Sequence, residues 1–150
     1  MTISFMDPVT TQMIVRLTVA TLLGALIGFE RERRGKPAGL RTYTLVTLGS
    51  ALFTVISLSG AGIAHANAYD PSRIASQVVV GIGFIGAGLI FFKEDSIYGL
   101  TTAAGLWASA AIGMAVGFGL YAIAIFAAIV TLLVLWLFRF LDSRISKLHH

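Results

Sequence analysis

The feature that most constrains this chain is where its charged residues are missing. Between short polar breaks lie five long apolar runs, at about residues 9–29, 42–63, 74–92, 100–116 and 121–138. A bilayer crossing takes about 20 apolar residues, or about 17 at the short end. Segments this apolar must be helical in lipid, because backbone groups find no other hydrogen-bond partners there. The runs therefore predict an all-α membrane protein, a bundle of five transmembrane helices forming one domain over residues 1–150. Composition excludes the other classes. Only 12% of residues are charged and 57% are hydrophobic, whereas a soluble domain carries about 25% charged residues. Disordered chains have the opposite bias, poor in apolar residues and rich in charge. The absence of Cys removes disulfides, thiolate metal ligands and Cys nucleophiles.

The polar breaks set the orientation. Arg31, Arg33, Arg34, Lys36 and Arg41 lie in the first connection, Lys93 in the third, and Arg139, Arg144 and Lys147 in the tail. With five spans these nine residues share one side, and the other side holds Arg73 alone. The positive-inside rule then puts the N-terminus outside and the C-terminus in the cytoplasm. The net charge of +4 is thus a topology signal and not a nucleic-acid footprint. Residues 1–15 contain no Lys or Arg, unlike the basic start of a signal peptide, so the first run is expected to be a retained span. Asp70-Pro71 suits the start of the third helix, and Ser96 is expected to cap the fourth. Pro37-Ala38-Gly39 predicts a structured turn, and the four residues 117–120 leave room only for a tight helical hairpin.

Within the spans, small residues recur at helical spacing. Arg16, Ala20, Gly24 and Gly28 form one stripe of the first span. The GxxxG pair Gly24/Gly28 lets another helix approach closely. Arg16 sits about 10 Å inside the boundary if the helix starts near Val9, where it either snorkels outward or pairs inside the bundle. The fourth span carries Thr101, Gly105, Ser109, Gly113 and Gly117 at intervals of four, with Thr102 and Trp107 on a neighbouring face. Such a stripe is read as a helix seam, and its hydroxyls can also line a polar path. The second span adds Thr47, Gly49, Ser50 and Thr54.

The segment from Gly81 through Gly83 and Gly86 to Gly88 satisfies G-x-G-x-x-G. No soluble βαβ unit surrounds it and no acidic residue follows about 20 positions on, so the dinucleotide reading fails. In an apolar span these glycines mean helix packing or a bendable helix, as in transporters that break helices around an ion. The block Glu30-Arg31-Glu32-Arg33-Arg34-Gly35-Lys36 is a membrane-edge cluster that also attracts anionic lipid. Glu30 and Glu32, two apart, diverge on a helix and make a poor metal site. His65 stands alone in a loop and His149-His150 end the chain, so no catalytic arrangement and no cofactor are expected.

Several of these blocks together resemble one family. Arg16-Leu17, Gly24, Ile27-Gly28, Glu30-Arg31-Glu32, the run Lys36 to Thr42 and Gly49 to Phe53 are similar to the MgtC/SapB family of bacterial inner-membrane proteins, as are Gly81 to Gly88, Gly99 to Ala104 and Trp107. The resemblance covers roughly residues 12–138 and implies a five-span membrane domain. It also implies a link to growth in low magnesium and, in pathogens, to survival inside macrophages. The best-studied type restrains the membrane ATP synthase rather than carrying magnesium. Long members continue into a cytosolic C-terminal domain, where here only residues 143–150 follow the last span and its short link. Ala108 stands where some members carry Cys, so thiol-dependent behaviour does not carry over.

The expected protein is a multi-pass regulator in the bacterial inner membrane. The polar framework proposed for it is Arg16, Glu30, Arg31, Glu32 and Arg41, with Glu30 and Arg41 tying two cytoplasmic helix ends together. Its glycine seams suit self-association into a homo-oligomer and contact with a membrane protein partner. The rival reading is a small cation or solute transporter working as an oligomer. Against it, the spans contain no carboxylate, whereas magnesium is held by oxygen ligands including carboxylates. A third reading is a lipid-binding scaffold on the basic face.

Overall fold

The computed structural model describes residues 7–60, 70, 72–93 and 96–145. His65, Pro71, Glu94, Asp95, Lys147 and His149-His150 lie outside them, so the readings placed on those residues have no structural counterpart here.

Helix α1 (Pro8–Arg33) opens with a proline in its first turn, where the missing N–H has no intrahelical acceptor to lose. It continues through the first half of the basic block and ends at Gly35, whose φ is +61°. There the Gly35 N–H donates to the Glu32 carbonyl at 2.9 Å and the Lys36 N–H to the Arg31 carbonyl at 3.1 Å. This paired closure satisfies the last carbonyls, and the left-handed residue is a glycine because a Cβ is strained there. Helix α2 (Leu40–Gly60) starts only five residues later. Helix α3 (Ser72–Ala87) leads to a two-stranded antiparallel hairpin, β1 (Phe91–Lys93) with β2 (Ser96–Tyr98), in which Phe91 faces Tyr98. Helix α4 (Leu100–Gly117) turns into α5 (Tyr121–Ile145) through Gly119, at φ +83°, with the same paired closure.

The arrangement follows from where the small residues sit. Gly24 of α1 lies against Tyr43 and Thr47 of α2, and Gly28 lies against Gly39 and Leu40, so the two helices run antiparallel. On α4, Gly105 meets Tyr43, Gly113 meets Thr47 and Ser50, and Gly117 meets Ala51 and Thr54, so α2 and α4 run the same way. The connection between them must return across the bundle, and α3 provides it, with Gly86 packed on Ala103 at the start of α4. Tyr43, Thr47, Ala51, Thr54 and Ser57 of α2 are fully buried, which makes α2 the centre of the molecule. The outer faces expose Leu22, Phe29, Leu45, Phe84, Phe126 and Trp136, the pattern of helices solvated by lipid and not by water.

Two expectations need correction. The apolar run 74–92 is not one helix: α3 stops at Ala87 after 16 residues, about 24 Å, short of a hydrocarbon core of about 30 Å. Gly81, Gly83 and Gly86 weaken the helix by about 1 kcal/mol each relative to alanine. The apolar residues beyond them enter the short hairpin, which sits beside a bundle that is otherwise all helical. Among the described residues, four helices, α1, α2, α4 and α5, are long and apolar enough by themselves to cross a membrane. Finally, Ser96 does not cap α4, because it pairs with Lys93 in the hairpin. The N-cap is Gly99, at φ +89° and so close to the Leu89 carbonyl that no Cβ fits.

Candidate functional site

Among the described residues the charged side chains of the bundle gather at its two ends, and α1 contributes to both. At one end Arg16, half-buried, donates from Nη1 to the Gly117 carbonyl at 2.8 Å, and its Nε has no hydrogen-bond partner. A cation here meets the negative end of the α4 dipole. Of the two fates open to Arg16, the structure takes the contact inside the bundle.

The other end lies about 22 Å away along α1. Arg31 is only 3% exposed. Its Nη2 donates to Thr102 Oγ1 at 3.0 Å, and its guanidinium lies against the Tyr43 hydroxyl. Tyr43 in turn donates to the Thr102 carbonyl at 3.3 Å. The Nε of Arg31 is buried with no hydrogen-bond partner. A buried cation needs compensating contacts, and one amide-strength donor remains unspent here. Next to it Glu30 forms an ion pair with Arg34, one helical turn on, while its second oxygen has no hydrogen-bond partner. Glu32 reaches across the turn and accepts the Leu40 N–H at 2.6 Å, which caps the start of α2.

Around Arg31 there is a cavity of about 620 Å³. Arg34, Lys36, Thr101 and Thr102 line its polar side, and hairpin residues together with Leu135 and Phe138 of α5 line its apolar side. The rings of Phe91 and Tyr98 stack at 5.6 Å and stiffen the hairpin wall. A second cavity, of about 500 Å³, opens between α2 and α3 beside Gly49, Ser50, Gln77 and Gly81.

The sequence-predicted residues thus separate. Arg31, Thr101 and Thr102 come together at one cavity, while Glu30 and Glu32 flank Arg31 along the chain without lining it. Arg16 belongs to the opposite end. The expected Glu30–Arg41 tie does not form: Glu30 is held by Arg34, the link between helices is made by Glu32, and Arg41 is exposed. Gly24, Gly28 and Gly105 pack against α2, whereas Gly81 and Gly83 have nothing within 4 Å. Gly88 is exposed beside carbonyls of its own helix end, and only Gly86 of that group meets another helix. Ser109 is fully buried with a hydroxyl that has no hydrogen-bond partner, and Trp107 faces outward at 55% exposure.

Sequence reasoning missed Tyr43. The signal was present, because one step of four back along the face of Thr47, Ser50 and Thr54 lands on it. The interior hydroxyls are also less available than the sequence suggests. Thr47, Ser50 and Thr54 each donate to the carbonyl four residues earlier, at 2.8–2.9 Å. Residues that bond their own helix in this way offer little to a passing ion. Among the described residues, no three His, Cys, Asp or Glu side chains group as a cation site.

Long apolar helices joined by tight turns, with charged groups confined to the ends, define a multi-pass membrane protein. The MgtC family profile matches residues 17–144, and the chain belongs to that family. It is 48% identical over 146 residues to the Escherichia coli K12 protein named "Putative magnesium transporter YhiD", covering 94% of this chain and 67% of that one. Identity to Protein MgtC of Brucella abortus is 52% over 104 residues, 69% of this chain and 42% of the relative. Protein SapB of Bacillus subtilis is 41% identical over 123 residues, 78% of this chain and 51% of the relative. The chain therefore spans two thirds of YhiD and about half or less of the other two. No solved structure matches. Family and helices together make this a multi-pass bacterial membrane protein.

Proposed function

We propose that the protein is a regulator in the bacterial inner membrane, with five crossings, its N-terminus outside and its C-terminus in the cytoplasm. It serves magnesium or envelope-stress adaptation by contact with a membrane protein partner, of which the ATP synthase is the one its family resemblance suggests. It is neither a carrier nor an enzyme. The observation that carries this reading is the contrast between interior and end. Between α1, α2 and α4 the space is closed by glycine and alanine contacts, and the threonine and serine hydroxyls are spent on their own helices. Most of the charged groups are collected at one end of the bundle, where Arg31, Arg34 and Lys36 face Phe91, Tyr98 and Phe138 across one cavity. That is a layout for being touched, not for passing a hydrated ion. Arg16, Glu30, Arg31, Glu32 and Arg41 remain the residues assigned to function, with Arg16 holding the outer end of the bundle.

The transporter reading has one observation in its favour besides the name borne by YhiD. The α2–α3 cavity brings Ser50 and Gln77 beside glycines that nothing covers, and a second copy could close it into a path. Magnesium flux into proteoliposomes separates the two. The expected result is no flux above empty vesicles, together with loss of low-magnesium growth support in cells carrying Arg31→Met. Flux that Arg31→Met leaves intact and that follows substitutions at Gly49 or Gly81 would make the protein a transporter.

A further inference from the structure

The cavity around Arg31 combines three features that one kind of ligand satisfies. Its polar side carries Arg31, Arg34 and Lys36, of which, among the described residues, only Arg34 is matched by a carboxylate, that of Glu30. Glu32 is occupied by the Leu40 N–H. Arg31, at 3% exposure, lines this cavity, and its buried Nε–H has no hydrogen-bond partner. A planar guanidinium with a free edge is suited to an oxyanion, and best to a phosphate or carboxylate that can take parallel bonds. The opposite wall is hydrocarbon: Phe91, Leu135 and Phe138 line it without a charge. Phe138 and Val134 also lie on the exposed outer surface of α5, at 56% and 47%, so the apolar wall continues into the face that lipid solvates. A free anion gains nothing from that wall, whereas an anion joined to hydrocarbon uses both sides at once.

We propose that this cavity binds the phosphate of an anionic phospholipid. The headgroup lies between Arg31 and Lys36, and the acyl chains run down the apolar wall of α5. The site does not depend on whether the protein regulates a partner or carries an ion. It requires only that this end of the bundle meet the headgroup layer. Each basic group near a headgroup is worth about fivefold in binding, and a buried guanidinium bonded to the phosphate is worth more.

The test uses the full chain purified in a neutral detergent. The protein is exchanged with phosphatidylglycerol or phosphatidylcholine, and bound lipid is counted by native mass spectrometry. Phosphatidylglycerol is expected to remain bound one to one and phosphatidylcholine to be lost. Lys36→Gln should weaken retention about fivefold, from the same electrostatic contribution. Arg31→Met should weaken it at least about tenfold, the loss of a charge-assisted bond. Arg33→Gln removes an exposed cation of the same block that does not line the cavity, and should change nothing. Because Arg31→Met also disturbs Thr102, Leu135→Asn provides a second variant that alters the apolar wall while leaving every cation in place, and it too should lower retention. Equal weakening by Arg33→Gln and Lys36→Gln would overturn the proposal in favour of diffuse surface attraction. Displacement of the lipid by millimolar inorganic phosphate, with Leu135→Asn having no effect, would overturn it in favour of a site for free phosphate. The flux and growth measurements above are unaffected by either result, so failure here is distinguishable from failure of the regulatory reading.

Discussion

Helices α3 and α4 are both rich in glycine, yet the structure uses their glycines in opposite ways. On α4, Gly105, Gly113 and Gly117 are buried against α2, and a Cβ at any of the three would collide with it. On α3, Gly81 and Gly83 face open space, and a Cβ at Gly86 would only reach ordinary contact with Ala103, at 3.5 Å. The difference lies in spacing and not in number. Intervals of four place the α4 glycines on one face, so the backbone of α2 can lie along them. Intervals of two and three scatter the α3 glycines around the helix, where they cannot form a common groove. They lower the stability of the helix instead, and α3 is the helix that ends early. A count of glycines therefore says little, while their angular distribution says whether they pack or loosen.

By this contrast, the largest effect of any single change belongs to the α4 seam. Gly113→Leu drives a side chain into the Thr47 carbonyl and Ser50, which are backbone and near-backbone atoms that cannot swing away. Overpacking of this kind costs about 3 kcal/mol or more when the neighbour is rigid. Chemical unfolding in micelles should show the variant to be strongly destabilised or unable to fold. A variant as stable as the parent would mean that α2 and α4 do not lie together as described.

A smaller effect is expected where the seam meets the charged end. Thr102→Val keeps the volume of the side chain but removes the acceptor of the 3.0 Å bond from Arg31. Losing a hydrogen bond to a charged group costs about 1.5–3 kcal/mol in water-soluble proteins, and comparable bonds between membrane helices average about 0.6. The same unfolding measurement should give about 1 kcal/mol for Thr102→Val. Thr101→Val, whose side chain is exposed at the cavity mouth, should give close to zero. Equal effects at the two positions would remove the distinction between the buried and the exposed threonine.

The seam was legible in the sequence because apolar periodicity and small-residue spacing are properties of a single helix. The runs at 9–29, 100–116 and 121–138 mark helices that the structure contains with shifted ends, and Gly24, Gly28 and Gly105 sit on the faces their spacing indicates. The charged block was legible as a place but not as a set of partners. Glu30 and Arg41 carry opposite charges on adjoining helices, and their pairing looked natural. The closed turn at Gly35 instead holds Glu30 against Arg34 and aims Glu32 at the Leu40 N–H. Which carboxylate crosses a turn is fixed by the turn geometry, which charge alone does not reveal. The hairpin was hidden for a different reason. Hydropathy counts Phe91 and Phe92 as continuing an apolar run, while the aromatic and β-branched residues on both sides of a polar turn, with Ile97 and Tyr98 beyond it, form a strand signal. Tyr43 was invisible as a ligand of Arg31 because the two are brought together only when α1 and α2 fold side by side.

An effect of opposite sign tests the other half of the comparison. In the double variant Gly81→Ala, Gly83→Ala the added methyl groups meet nothing within 4 Å, so no steric cost opposes them. Alanine is preferred to glycine inside a helix by about 0.5–1 kcal/mol per site, because it loses less backbone freedom on folding. The double variant should therefore be slightly more stable than the parent in micelles, and α3 should exchange its amide hydrogens more slowly. A loss of stability would mean that the glycine face of α3 is covered in solution, and a second copy of the chain is the covering group the α2–α3 cavity has room for. Cross-linking through single cysteines at Gly81 and Gly49 would then decide it. Dimeric products specific to those positions would turn the open helix into a packed one, and would remove the contrast between α3 and α4.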